Sequence, residues 1–437
     1  MSNFIINGGK KLTGKVKTNS AKNSAVAILC ATAMLEGKTT LINVPMIEEV
    51  KRIIEILVSL GMSVRWSKQH ELEIINPGNL NPGNINRESF IKTRSGLLLM
   101  GALLSQQDKF TLPKASGCKL GKRTVSPYTI ALEHLGVQVN CRDDCYEINK
   151  LRIKANEFTM YETADTATEN TIMAAALAPG KTIIHFAALN YMVQDLCVFL
   201  ERAGAKIKGI GTPTLTITGV NKLKPVKDYP IMPDPIESMA FISIAITTKS
   251  KLTITHCPID FLRLELEKLR LMGQKFNISQ PYKSDNKYFN LVDITIKPSK
   301  LTALSDKLHP LPYPGLNIDN LPLFIPILTQ TKGTTLVHDW IYENRAIYYT
   351  ELNKLGADIT LLDPHRVSVT GPSELKSNEI ICPPALRPSL NLLICMLAAK
   401  GRSILRNSYS IDRGYENIVT RLNKLGADIK AIEKLNL

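Results

Sequence analysis

No run of apolar residues in this chain is long enough to cross a membrane. The longest, AVAILCATAML, is about half a span and reads as a buried helix. The opening MSNFIINGGKKLTGKVK lacks an apolar run followed by a small-residue cleavage site, so no signal peptide is expected; both points favour a cytoplasmic protein with no membrane partner. Metal-binding patterns are missing too. There is no HExxH, and Cys141 and Cys145 form a CxxxC with no second pair and no histidine at ligand spacing, so no metal is expected. A disulfide framework is also absent: the cysteines at 30, 118, 141, 145, 197, 257, 382 and 395 lie mostly in apolar segments such as AVAILC and NLLICML, as reduced, buried thiols do. Aromatic residues, at 6%, offer few stacking platforms for nucleic-acid bases. Acidic residues number 39 against 54 basic ones, and the resulting charge of +15 is spread along the chain rather than gathered in a dense run. Such a charge suits anionic partners, and small phosphorylated acids fit it as well as a polynucleotide does.

What the chain does have is length and repetition. Its 437 residues, 44% hydrophobic and 21% charged, describe a globular protein too long for one ordinary core. One pattern recurs six times: a Gly turn, a short β-branched strand, a variable stretch, an amphipathic helix ending in Leu-Gly, Ala-Gly or Met-Gly, and another strand. The copies begin at 37, 108, 180, 250, 332 and 400, roughly 70 to 80 residues apart. Ile53, Ile54, Ile56, Leu57 and Leu60 show the helical spacing, and Gly61, Gly136, Gly204, Gly273, Gly356 and Gly426 stand where a helix C-cap needs left-handed backbone. Before each copy runs an almost wholly apolar segment: ILCATAM, LLLMGALLS, TIMAAALAPG, MAFISIAITT, LFIPILTQT and NLLICMLAAKG. These predict helices buried on all sides, hence an α/β fold of two three-unit domains with helices inside and sheets outside.

Candidate site residues stand out against this frame. SGCKLGKR (116–123) sets Cys118 between two glycines and follows it with Lys119, Lys122 and Arg123, cations that lower a thiol pKa and attract an anionic substrate. Lys22 and Asn23 follow Ser20, a plausible N-cap, in the first turn of an expected buried helix whose amides and dipole favour an anion. Asp319 lies in GLNIDN, a context in which an aspartate is usually a turn residue.

The six-unit order, with TNSAKNSAVAILCATAML, SGCKLGKR, PYPGLNIDN, YENRA and SIDRGYENI in sequence, resembles the enolpyruvyl transferases over essentially the whole chain. The resemblance implies two inside-out α/β barrels: 22–231 with the cysteine loop, and 1–21 with 232–437, the active site lying in the cleft between them. It implies phosphoenolpyruvate as donor, with UDP-N-acetylglucosamine or another nucleotide or sugar as acceptor, and no cofactor or nucleic acid. Cys118 becomes a general acid toward the donor methylene and Asp319 the base for the acceptor hydroxyl. Lys22, Arg123 and Arg413 would neutralise the donor's phosphate and carboxylate. Asn23, Arg94, Ile341, Arg345 and Arg387 fall at substrate-binding positions. The related shikimate-phosphate transferase fits less well, since its usual site does not employ a loop cysteine in this context.

Several segments depart from the family's pattern. Ser126 and Tyr128 in TVSPY replace an Asp and a His; ADTAT puts Ala164, Asp165 and Thr166 in a nucleotide-contacting stretch; LNYM stands in unit three; Pro235 interrupts PDPIE; and Ala385 stands where a family Asp precedes Leu-Arg. These leave the acceptor open between the two readings.

Overall fold

Each of the six repeats builds one small sheet around three antiparallel strands, and four of the six sheets carry a further strand in parallel. The computed structural model describes residues 3–114 and 124–433. These fall into two compact units, one of residues 20–114 and 124–232, the other of 3–19 and 233–433.

In the first repeat, strand Gly37–Ile42 and strand Ser63–Lys68 flank a middle strand, Glu71–Asn76, which pairs antiparallel with both. The same arrangement recurs around Cys145–Lys150, Thr214–Thr218, Asn290–Ile296 and Arg366–Gly371. Alternation sets these strands on edge between core and solvent: Val292, Ile294 and Ile296 are buried, while Asp293 and Thr295 between them are partly exposed. In the sixth repeat the middle strand is Asn3–Gly8, which sits between Gly401–Arg406 and Ile429–Ile432. The neighbouring strand Thr13–Lys17 runs parallel to Lys251–Pro258. The start of the chain thus supplies two strands to the second unit.

The apolar segments form helices enclosed by other elements, so the layering of helices inside and sheets outside is observed. Every residue of Pro235–Thr247 and of Leu321–Leu328 is buried. Lys22–Ala31, Asp165–Ala176 and Leu386–Ala398 are buried along nearly their whole length. The second repeat differs: instead of one continuous helix it has a short α-turn, Leu99–Ala102, between 3₁₀ turns Arg94–Leu98 and Leu103–Ser105. Close packing accounts for part of this. A Cβ on Gly101 would lie 2.3 Å from the Asn170 carbonyl, and the Gly101 amide donates to Asn170 Oδ1 at 2.7 Å.

The six helix-ending glycines all have positive φ, between 84° and 106°. Gly136 also needs the space, since a Cβ there would lie 2.1 Å from the Arg152 carbonyl. One expected α-helix is wound differently. Ala346–Leu355 is a 3₁₀ helix whose buried residues, Ala346, Tyr349, Leu352 and Leu355, recur every third position, the period that a three-residue turn places on one face.

Candidate active site

In the unit of residues 20–232, Lys22 and Asn23 occupy the first turn of their helix. The N-cap is Ala21 rather than Ser20: Ala21 is extended, its amide donates to the Met232 carbonyl, and no side chain caps the helix. Lys22 and Asn23 are half-buried, not fully enclosed. Asn23 Nδ2 donates to the Tyr191 hydroxyl at 3.0 Å, and the adjacent Asn190 Nδ2 donates to Asp165 Oδ2 at 3.0 Å. The two departing segments, LNYM and ADTAT, therefore meet beside Asn23. Their unusual residues Asn190 and Asp165 bond each other.

Arg94, half-buried, donates from Nη2 to the Thr124 carbonyl at 3.0 Å. Its loop is fastened by Glu49, a buried carboxylate of helix Glu48–Ser59 that accepts from the hydroxyls of Thr93 and Ser95. Behind it, Glu169 is buried within its helix, and burial first, then the Asp165 charge, pushes its carboxyl well above the usual range. Its Oε1 has no hydrogen-bond partner among the described residues.

In the unit of residues 3–19 and 233–433, Asp319 sits just before helix Leu321–Leu328 with about a quarter of its side chain exposed. Each carboxylate oxygen faces one guanidinium: Oδ1 lies 3.8 Å from Arg345 Nη1 and Oδ2 lies 3.6 Å from Arg387 Nη2. At these separations the carboxylate feels two positive charges and keeps room to accept a proton from a hydroxyl. The loop beneath is tied to Glu265 of helix Arg263–Leu271, whose Oε1 accepts from Asn320 Nδ2 at 2.8 Å and the Asn317 amide at 3.3 Å. Asn317 Oδ1 in turn accepts from the Asp319 amide at 2.8 Å.

The two arginines differ in what else they touch. Arg345 is 1% exposed and bonds Asp339 and the Ile318 carbonyl. Arg387, the second residue of helix Leu386–Ala398, donates to the Tyr415 hydroxyl and lies over that ring at 5.4 Å. Burial pushes the Tyr415 phenol up, so it stays protonated beside the guanidinium. Ala385 is the N-cap of the same helix and offers no side-chain acceptor to it.

Ile341 lies on the surface of the loop between Asp339 and Arg345, and Arg413 is half-buried at the end of the short helix Tyr409–Asp412. Cys118 and Arg123 lie outside the described residues. Four groups around these sites carried no sequence motif, Glu49, Glu169, Glu265 and Asp339, and Tyr415, inside SIDRGYENI, was not singled out. The only available signal was a carboxylate at an otherwise apolar helix position, as with Glu49 beside Val50 and Ile53.

A family model described as EPSP synthase (3-phosphoshikimate 1-carboxyvinyltransferase) matches residues 6–422. The chain belongs to this family of enolpyruvyl transferases. It is 32% identical over 441 residues to a UDP-N-acetylglucosamine 1-carboxyvinyltransferase of Bacteroides fragilis, covering 99% of this chain and 100% of that one. The identity is 33% over 443 residues to the protein of the same name from Treponema denticola, with the same coverage. Among solved structures, the enolpyruvyl transferase NikO from Streptomyces tendae superposes with a TM-score of 0.83 at 23% identity, covering 99% of both chains. That likeness bears on the fold. This enolpyruvyl transferase is a carboxyvinyl-transferring enzyme with the inside-out α/β architecture expected from its repeats.

Proposed function

We propose that this enolpyruvyl transferase moves the enolpyruvyl group of phosphoenolpyruvate to the 3-hydroxyl of UDP-N-acetylglucosamine and releases phosphate, in the cytoplasm, as the first committed step of peptidoglycan precursor synthesis. The observation that carries the chemistry is Asp319, a partly exposed carboxylate held between Arg345 and Arg387. The acceptor is inferred from relatives of that name that match this chain end to end.

Asp319 takes the proton of the acceptor hydroxyl as its oxygen attacks C2 of the donor, and Cys118 delivers a proton to C3. The adduct then loses phosphate from C2 and a proton from C3, which restores the double bond. Lys22, Arg123 and Arg413 neutralise the donor's phosphate and carboxylate, and Arg387 holds charge beside Asp319. Asn23, Arg94 and Ile341 meet the acceptor.

The test is phosphate release from phosphoenolpyruvate with UDP-N-acetylglucosamine, with the product's mass determined, beside Cys118→Ser and Asp319→Asn. The expected product carries one added enolpyruvyl group. Asp319→Asn should lower kcat by roughly 10²–10⁴-fold, the contribution of a positioned base. Donor binding without turnover in the wild type would reject this acceptor and turn attention to the Asp165–Asn190 pair.

A further inference from the structure

We infer that Asp339, which no motif marked, is a positioning residue for the transfer: it grips the Arg345 guanidinium along one edge so that the remaining nitrogen faces the Asp319 carboxylate. The inference rests on Asp319 acting as the base. Arg345 Nε donates to Asp339 Oδ2 at 2.6 Å and Nη2 donates to Asp339 Oδ1 at 2.8 Å, a two-bond fork. Nη2 also donates to the Ile318 carbonyl at 2.8 Å, beside Asp319. The Tyr342 ring lies 4.2 Å from the guanidinium carbon. Among the described residues, Nη1 is the nitrogen that faces Asp319, at 3.8 Å.

Asp339 itself is fixed. It is 0% exposed, the Tyr349 hydroxyl donates to its Oδ2, and its amide donates to the His365 carbonyl at 2.7 Å. Its distance from solvent leaves it no substrate to touch. What it does is electrical and geometric: its negative charge balances Arg345, so that Asp319 feels a guanidinium already partly neutralised. A base pressed by two uncompensated arginines would hold its charge too firmly to accept a proton well.

The groups around Asp319 define what a variant would alter. Arg345 and Arg387 face it directly. Asp339, Tyr342 and Tyr349 stand behind Arg345; Tyr415 stands behind Arg387, with Asp234 and Glu237 acting on Tyr415; Glu265 lies under the loop.

The experiment titrates the Asp319 carboxyl by carbon-13 NMR in the substrate-free, full-length enzyme, its signal assigned by its loss in Asp319→Asn. Asp339→Asn should lower the Asp319 midpoint by about one pH unit. The acid limb of kcat/KM should move down with it, and kcat should fall about tenfold while KM for each substrate holds. Asp339→Asn combined with Arg345→Met removes one guanidinium from Asp319 altogether and should move the midpoint up. If the single variant does not fold, because Arg345 is left buried without its counter-charge, the double variant decides. Unchanged midpoints, with only the melting temperature altered, would overturn the inference. The titration uses no substrate, so failure of UDP-N-acetylglucosamine to react would reject the acceptor proposed above without touching this result.

Discussion

At the residue scale, the candidate site divides into groups that meet water and groups that do not. Asp319 and Lys22 reach solvent; Glu169, Glu265, Asp339 and Arg345 do not. Glu169 gives a direct prediction. Burial raises its folded carboxyl well above the ordinary 4.5, so both folded and unfolded chains hold the proton below that value. As pH rises beyond it, the unfolded chain ionises while the fold still keeps the proton, and this contribution to stability is progressively lost. Glu169→Gln, uncharged throughout, should therefore gain on the wild type as pH rises above 4.5 when denaturation midpoints are compared. A difference that stays constant with pH would show that ionisation is not what Glu169 contributes. Motif residues such as Lys22, Asn23 and Asp319 were legible in the sequence because their immediate neighbours carry the pattern. Glu265 and Asp339 were not. Glu265 is made a site residue by Asn320, 55 positions away, and a carboxylate on an amphipathic helix otherwise reads as a solvated face.

At the element scale, the repeat fixes where each helix starts and stops, and the caps differ in strength. Asp234 caps Pro235–Thr247, its Oδ1 accepting from the Ile236 and Glu237 amides, with Pro235 at the position where a missing N–H costs nothing. Asp234→Ala should destabilise the protein by about 1–2 kcal/mol, measured by chemical denaturation. The same reasoning explains why the cap of Lys22–Ala31 was misread. Ser20 has the right chemistry, but the Ala21 amide is committed to Met232, on a segment more than two hundred residues away, and the helix begins after that bond. Strand-and-helix order was readable from periodicity. The 3₁₀ winding of Ala346–Leu355 was not, because Tyr349 turns inward to reach Asp339.

At the scale of the whole molecule, the repeats gave six α/β units and the resemblance grouped residues 1–21 with 232–437, but neither said that Asn3–Gly8 is the middle strand of the sixth sheet. Asn3 pairs with Ile432 in antiparallel register. A short linker from the strand Ile429–Ile432 into Asn3–Gly8 would make an ordinary hairpin. A circular permutant joined there and opened between Lys10 and Lys11, both exposed, should fold with the wild-type melting temperature. A large loss of stability would mean that the exposed turn, and not the pairing, holds this sheet together.

The same strand carries a consequence for how the chain is made. Phe4 and Ile6, both buried in the finished sheet, are synthesised well before their partners in Gly401–Arg406, which follow them by about 400 residues. At ~5–20 residues per second, the nascent strand waits roughly 20–80 s with its edge unpaired. The second unit can close only once Gly401–Arg406 has been made, while the unit of residues 20–232 has its described strands in hand by Pro230.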